Sequence, residues 1–435
     1  MTNRRQFLRA MSHTATATLA AQAVRAQAVS PNERLRVGVI GPGGMGTNHL
    51  RVLGEQPDVE IAYVCDVDSE RLDAAARTAE ELTGKRPQAV GDLRKVLGDP
   101  SVVAVWIATP DHWHAPATIL ALDAGKHVYV EKPCCHNVRE GRLMIDAARR
   151  NNRIVQVGTQ SRSAPHVLRA MEQLRSGAIG EVLAAKAWNS QLRGSIGHAE
   201  PSAPPAGLDF DAWLGPAPER PYQKNLLHGI WRWWYDFGVG DIGNDGVHDI
   251  DLAWWGLGVE THPSRVVAIG GKYFFDDDQQ FPDTQQVVYE YPTAHGGRPK
   301  QLVFEQRIWT PYKLHGYENG AAFFGTAGYL VLGHSHGYQL YGPRDKLIES
   351  VDGSPQLLEH HRNFIDCIRT GQRPNADIEI GHRSATLCHL GNIATRLGRA
   401  LSFDPEGEQI LHDEPANAML RRQYRDGHWA VPRSV

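Results

Sequence analysis

From residue 34 to about 160 the apolar positions fall in short continuous runs: Arg34–Ile40, Glu60–Cys65, Val102–Ala108, His127–Val130 and Ile154–Val157 are rich in Val and Ile and bounded by Gly, Pro or Asp. Such runs predict strands buried on both faces. The stretches between them have helix length, and repeated strand–helix alternation predicts an α/β doubly wound parallel sheet. Beyond residue 160 the strands Gln285–Tyr291, Gln301–Ile308 and Tyr329–Leu332 are longer and alternate, which predicts a large, mostly antiparallel open sheet. Gln356–Thr370 and Ile380–Arg399 carry apolar residues at helical spacing, among them Leu358, Phe364, Ile365 and Ile368. A proline-rich stretch from Pro201 to Pro221 is expected to be a surface loop, and the chain from Asp404 onward an extended tail. The expected domains are residues 34–160 and an α+β domain over 161–403, followed by a tail over 404–435.

Length changes this picture little, since 435 residues are too many for one ordinary core and fit two domains. The N-terminus adds a processing signal. Arg4-Arg5-Gln6-Phe7-Leu8 precedes a weakly apolar Ala/Thr stretch and the small-x-small site Ala26-Gln27-Ala28, the pattern of a twin-arginine leader over residues 1–28. Export to the periplasm, or outside the cell, is the expectation. No later stretch approaches the ~20 apolar residues of a membrane span, so no membrane insertion is expected after processing. Lys and Arg number 46 against 49 Asp and Glu, a balance that gives no field for nucleic acid and suits a small neutral substrate. Five cysteines without CxxC spacing read as buried thiols.

The chemistry begins at Gly41-Pro42-Gly43-Gly44-Met45-Gly46, a GxGxxG loop that leaves a strand and opens a helix, with Asp66 twenty residues after Gly46 at the next strand end. This is the full context of a Rossmann dinucleotide site: Gly41, Gly43, Met45 and Gly46 approach the pyrophosphate at a helix N-terminus. Asp66 accepts from the ribose hydroxyls and repels a 2′-phosphate, which favours NAD over NADP. An exported protein has no obvious pool of free NAD, so a tightly bound cofactor, loaded before export, is expected.

Two further segments, Ala108-Thr109-Pro110-Asp111-His112-Trp113-His114 and Glu131-Lys132-Pro133, lie just beyond strand ends, where ligands bind in this architecture. With the glycine loop they resemble the Gfo/Idh/MocA family of glucose–fructose oxidoreductase and inositol dehydrogenase-like enzymes. The resemblance implies that Lys132 lies beside the nicotinamide and the reacting hydroxyl, that Glu131 shapes the strand end there, and that Thr109, Pro110 and His114 form the cofactor-side turn. His112 and His114, at i,i+2 spacing without a carboxylate, give no reason to expect a metal. Gly243 to Asp251 resembles the family's DxGxHxxD helix, on which Asn244, His248 and Asp251 would share one face. His248 would then work with Lys132 as the titrating pair. Asn244 departs from the family's aspartate; it is either a substrate contact that cannot relay a proton or a helix N-cap.

Trp233 and Tyr235, in Trp231–Phe237, are candidate sugar platforms, and Gln160 and Arg162 are candidates either for the cleft, as substrate contacts, or for interdomain hydrogen bonds. Trp254 and Trp255 are expected to pack. His334 and His336 are expected to be solvated. The implied activity is hydride transfer between a secondary hydroxyl of a sugar, glycoside or cyclic polyol and NAD. Two alternatives remain open: redox-neutral glycoside cleavage through a keto-sugar, and an exported sugar-binding protein without turnover. The resemblance also implies a homo-oligomer, a dimer or tetramer.

Overall fold

The computed structural model describes residues 34–292 and 297–435; the leader read over residues 1–28 lies outside them. A six-stranded, all-parallel sheet comprises β1 (Leu35–Ile40), β2 (Val59–Cys65), β3 (Gln88–Val90), β4 (Ala104–Ile107), β5 (His127–Val130) and β6 (Val155–Val157) in the order β3-β2-β1-β4-β5-β6. Five of these match the apolar runs. The sixth, β3, is a short edge strand with two of its three residues exposed, so it carries no hydrophobic signal. Between the strands lie α1 (Met45–Gly54), α2 (Ser69–Thr83), α3 (Leu93–Leu97), α4 (Asp111–Asp123) and α5 (Val138–Arg150). Side chains start several of them: Asp68 accepts from the Glu70 and Arg71 amides at α2, and Asn137 from Glu140 at α5.

After α6 (Pro165–Arg175) comes the larger sheet, formed by β7 (Val182–Ser190), β8 (Arg265–Gly271), β9 (Thr284–Tyr291), β10 (Lys300–Arg307), β11 (Asn319–Gly325), β12 (Tyr329–Gly333), β13 (Gly337–Tyr341), β14 (Leu347–Asp352), β15 (Leu401–Asp404) and β16 (Gln409–Ile410). Its order is β14-β13-β12-β11-β7-β10-β9-β8-β15-β16, and β7–β10 is its one parallel pair among the described residues. The segment before β8 holds α7 (Phe210–Leu214), α8 (Gly240–Asn244) and α9 (Gly246–Leu257). Helix α9 buries Val247, Ile250, Ala253, Trp254 and Leu257 in one core with Ala185, Phe304 and Phe323 of the sheet. Trp254 and the partly buried Trp255 therefore pack, as expected.

The last helices join the two sheets. In α10 (Leu357–Thr370), Phe364 and Ile365 share a core with Val37, Trp106 and Tyr129 of the nucleotide sheet, and Trp106 meets Phe364 edge-on at 5.2 Å. α11 (Ile378–Leu397) sends Ile378 and Ala385 to one core and Leu387 and Leu390 to the other. A sequence cut near residue 160 separates the strands but not the cores.

The segment beyond Asp404 is not an extended tail. It forms β16 and α12 (Glu414–Ala418) and is pinned back by ion pairs. Glu408 takes Arg142 Nη2 at 2.5 Å, His382 Nε2 at 2.7 Å and His262 Nε2 at 3.1 Å. Glu140, fully buried, takes Arg422 at 2.6 Å and the Tyr424 hydroxyl at 2.8 Å. These partners are far apart in sequence, so the tail's polar composition concealed the contacts. The five cysteines are buried and unpaired, with Cys134 and Cys135 sulfurs 3.7 Å apart.

Candidate active site

A cavity of about 310 Å³ lies over the carboxyl ends of the parallel strands, walled on one side by Gly41, Gly43, Gly44, Met45 and Asp66 and on the other by Trp213, Trp231, Arg232 and Asn244. The glycine loop is built for close backbone approach. Gly41 sits at φ 77°, and a Cβ there would lie 2.8 Å from the Ala108 carbonyl group; one on Gly46 would overlap the Gly41 oxygen. α1 starts at Met45, with Gly44 as its N-cap and no capping side chain; Gly46 and Thr47 donate back to Gly43 O and Gly44 O, so the amides of Gly44 and Met45 are the ones placed to meet a ligand. Arg71 adds a cation against Gly43. Asp66 accepts the Asp68 amide through Oδ1, and burial pushes its carboxyl up to about 6. This donor set, with a helix N-terminus facing a carboxylate across a cleft, fits a dinucleotide with free ribose hydroxyls.

Thr109, Pro110 and the first turn of α4, not a turn over 109–114, close the next wall. Thr109, Pro110, Asp111 and His114 all line the cavity. His114 sets its ring nitrogens against Pro133 O at 2.7 Å and Thr109 O at 2.9 Å, tying this turn to the Lys132 segment. His112 meets Trp213 O at 2.9 Å, and burial pushes its imidazole down to about 3. Both rings are thus engaged with backbone. Asp111, not singled out from the sequence, is a further buried carboxyl here; burial pushes it up to about 7, against the fields of Lys132 and Arg232.

Lys132 projects from the end of β5 into this cavity, and its Nζ donates to Asn244 O at 2.5 Å. Beneath it, Glu131 accepts from His49 at 3.1 Å, Gln160 at 2.9 Å and the Lys132 amide at 3.2 Å. Burial favours the protonated carboxyl, but the His49 hydrogen bond and the Lys132 charge hold Glu131 below its ordinary range. Glu131 therefore anchors the strand end. Gln160, spent on Glu131 and the Tyr129 hydroxyl, supports this anchor. It also lines a smaller cavity of about 260 Å³ with Met45 and His334.

The DxGxHxxD-like segment does not form one helix. α8 ends at Asn244 and α9 begins at Gly246, so Asn244 is neither on the face of His248 and Asp251 nor an N-cap; Asp245 holds that position. Asn244 instead donates its amide to Asp241 Oδ1 at 2.9 Å. Asp241 also accepts from Asn189 at 2.9 Å and Arg193 at 3.2 Å, and Arg193 reaches Asp245 as well. Burial raises Asp245, but Arg193, Lys132 and His334 bring it below its ordinary range.

His248 is buried, and its Nδ1 has no protein partner. Burial, then the fields of His334 and Lys132, push its imidazole well below neutrality, so it is an uncharged ring. Its neighbour is His334, from the turn after β12, with ring centroids 4.6 Å apart. His334 is not solvated: it pairs with the fully buried Asp249 at 3.2 Å, and despite burial the Asp249 and Asp245 charges lift it above its ordinary range. Burial pushes Asp249 up to about 7.

Four sequence candidates go elsewhere. Arg162 and Asp251 satisfy each other, Nε–Oδ2 2.7 Å and Nη2–Oδ1 2.9 Å, and Ser384 adds a 2.5 Å bond to Asp251; both are nearly fully buried. Neither lines the cavity. Trp233 is buried in a core with Trp213 and Phe237, and Tyr235 spends its hydroxyl on Gln280 O at 2.6 Å. The member of that aromatic run facing the cavity is Trp231.

The Gfo/Idh/MocA oxidoreductase family model for the NAD-binding Rossmann fold matches residues 35–159, and the family's C-terminal alpha/beta domain matches 181–296 and 336–431. A levoglucosan dehydrogenase from Pseudarthrobacter phenanthrenivorans is 34% identical over 155 residues, which are 35% of this chain and 40% of that protein. A glycosyl hydrolase family 109 protein from Saccharopolyspora erythraea is 31% identical over 161 residues, 36% of this chain and 35% of that protein. The matches thus span less than half of either relative. In fold, the chain resembles the WlbA dehydrogenase from Bordetella pertussis, solved with NADH and UDP-GlcNAcA, at TM-score 0.64 and 20% identity over 85% of this chain and 99% of that one.

Proposed function

The chain belongs to the Gfo/Idh/MocA oxidoreductase family, and from that premise we propose that it transfers hydride between NAD and a secondary hydroxyl of a sugar, glycoside or cyclic polyol. The observation that carries this reading is Lys132: its Nζ, held by Asn244 O, lies in the same cavity as the glycine loop and the second-domain residues Trp231 and Arg232. When bound, the nicotinamide supplies the hydride acceptor, or the donor in reverse. Lys132 orients the reacting hydroxyl; as the free amine it takes the hydroxyl proton while hydride leaves the carbon, and as the ammonium it returns that proton in reverse. His248, uncharged and with an unpartnered Nδ1, is a hydrogen-bond partner for a neighbouring substrate hydroxyl, and the His334–Asp249 pair lies against that ring. Trp231 offers a flat face to the carbon side of a sugar ring, while Arg232 meets its hydroxyls.

A test is NADH formation at 340 nm across a panel of sugars including levoglucosan. Lys132→Met should lower kcat by roughly 10²–10⁴ with NAD affinity kept. A Lys132→Met enzyme as fast as the parent would refute the assignment.

The family 109 glycosyl hydrolase relative supports a second reading, in which the keto-sugar loses its aglycone and is reduced again. Aglycone release without net NADH would distinguish it. We further infer a captive cofactor and twin-arginine export, supported by the leader pattern, and a homo-oligomer through the outer face of the large sheet. Supporting the last, Val267 and Ile269 on β8 are 40% and 70% exposed. Among the described residues no helix is long and apolar enough to cross a membrane.

A further inference from the structure

Behind the active site lies a larger cavity, of about 550 Å³, that shares none of the cofactor-site residues. Four segments meet there: the loop after Lys132-Pro133 at His136 and Asn137, the strand of chain entering α8 at Gly238 and Val239, the α11 residues Asn392 and Arg396, and the C-terminal segment at Arg421 and Arg422.

Its polar groups are only partly used. Asn392 donates to Val239 O at 2.9 Å, but its Oδ1 is buried without a partner. Asn137 spends its oxygen on the Glu140 amide, leaving a buried Nδ2 unpartnered. Arg422, with an 8% exposed side chain, gives Nε and Nη2 to Glu140 and His112 O and keeps Nη1 buried and free. At the rim stand Arg396, stacked 3.8 Å over the Tyr235 ring, and Arg421. Among the described residues neither has a carboxylate partner. The one carboxylate lining the cavity, Asp236, faces Arg220 at 3.4 Å. Tyr235, Phe281 and Met419 supply apolar wall.

We propose that this cavity is a second ligand site, one that takes a small anionic polyhydroxy compound, a sugar carboxylate or a sugar phosphate. The arginines hold the anion, and the unpartnered amides of Asn137 and Asn392 hold hydroxyls. A buried donor and a buried acceptor without partners, on two residues that line one cavity, ask for a ligand that offers both, as a polyol does. Because His136 follows Lys132 closely and Val239 leads into the helix whose end holds the Lys132 ammonium, occupancy there would bear directly on the placement of Lys132.

Calorimetric titration of the full NAD-saturated chain with gluconate, glucose 6-phosphate and glucose tests this. One site per chain should bind gluconate or glucose 6-phosphate, and whichever binds identifies the anion; glucose should bind about tenfold more weakly or worse. Arg396→Glu/Arg421→Glu, which changes only exposed side chains, should abolish anion binding while leaving NAD affinity intact, and Lys132→Ala should leave anion binding unchanged. The proposal is overturned if neither anion binds at millimolar concentration, if glucose binds as well as either anion, or if Lys132→Ala removes the binding that the arginine double variant retains.

Discussion

Replacing Arg162 by Met separates a structural role from a substrate role. The Arg162–Asp251 pair is buried on both sides, 3% and 1% exposed, so the substitution strands a carboxylate that keeps only Ser384 as partner. Breaking such a pair from one side costs about 3–5 kcal/mol. Loss of the guanidinium stacked 4.5 Å over Trp255 adds roughly 0.5–1 kcal/mol. The folded unit, Leu35–Val435, unfolds with an entropy near 0.8 kcal/mol/K at about 2.1 cal/mol/K per residue, so Tm should fall by about 4–7 °C. Differential scanning calorimetry reads this, and the sugar KM of the folded fraction should stay at the parental value. Arg162→Met/Asp251→Leu should recover most of the loss, because no charge is left unpaired. A single variant with parental Tm and a raised KM would rule out the structural role and return both residues to the substrate.

Three further outcomes follow from the site. Asn244→Asp sets a second carboxylate where the amide now donates to Asp241; losing that bond and adding repulsion should cost about 1–3 kcal/mol by denaturant titration, and a variant as stable as the parent would show the amide to be dispensable. Asp111 is pushed up to about 7 in the folded chain from an unfolded value near 3.9. Across that window the folded state holds a proton the unfolded state has lost, so stability falls as pH rises from about 4 to 7; Asp111→Asn should flatten this part of the Tm–pH curve, and an unchanged slope would contradict the burial argument. Gly41→Ala forces φ 77° on an L-residue and drives a methyl to 2.8 Å from the Ala108 backbone, so NAD affinity by fluorescence titration should fall at least tenfold, about 1.4 kcal/mol.

What could be read in the sequence was local. Continuous apolar runs gave β1, β2, β4, β5 and β6, and the glycine loop with Asp66 and the Glu131-Lys132-Pro133 segment did converge on one cavity. What failed was long-range polar pairing. Arg162 and Asp251 lie 89 residues apart, and the Asp249–His334 pair 85; nothing in either local pattern shows that one residue will satisfy the other. The same holds for the tail, whose Arg422 finds Glu140 across 282 residues. At Asn244 the helical spacing misled because the backbone breaks at Asp245, turning a presumed helix-face residue into the carbonyl that holds Lys132. In the aromatic run, composition identified the region but not which ring faces the cavity.

In the proposed reaction a sugar C–H hydrogen reaches the nicotinamide. NAD-loaded protein incubated with perdeuterated sugars of the panel, then denatured and analysed by mass spectrometry of the released cofactor, tests it directly. Deuterium should appear on the nicotinamide ring with at least one sugar and disappear in Lys132→Met; unlabelled cofactor across the whole panel would rule out the hydride transfer.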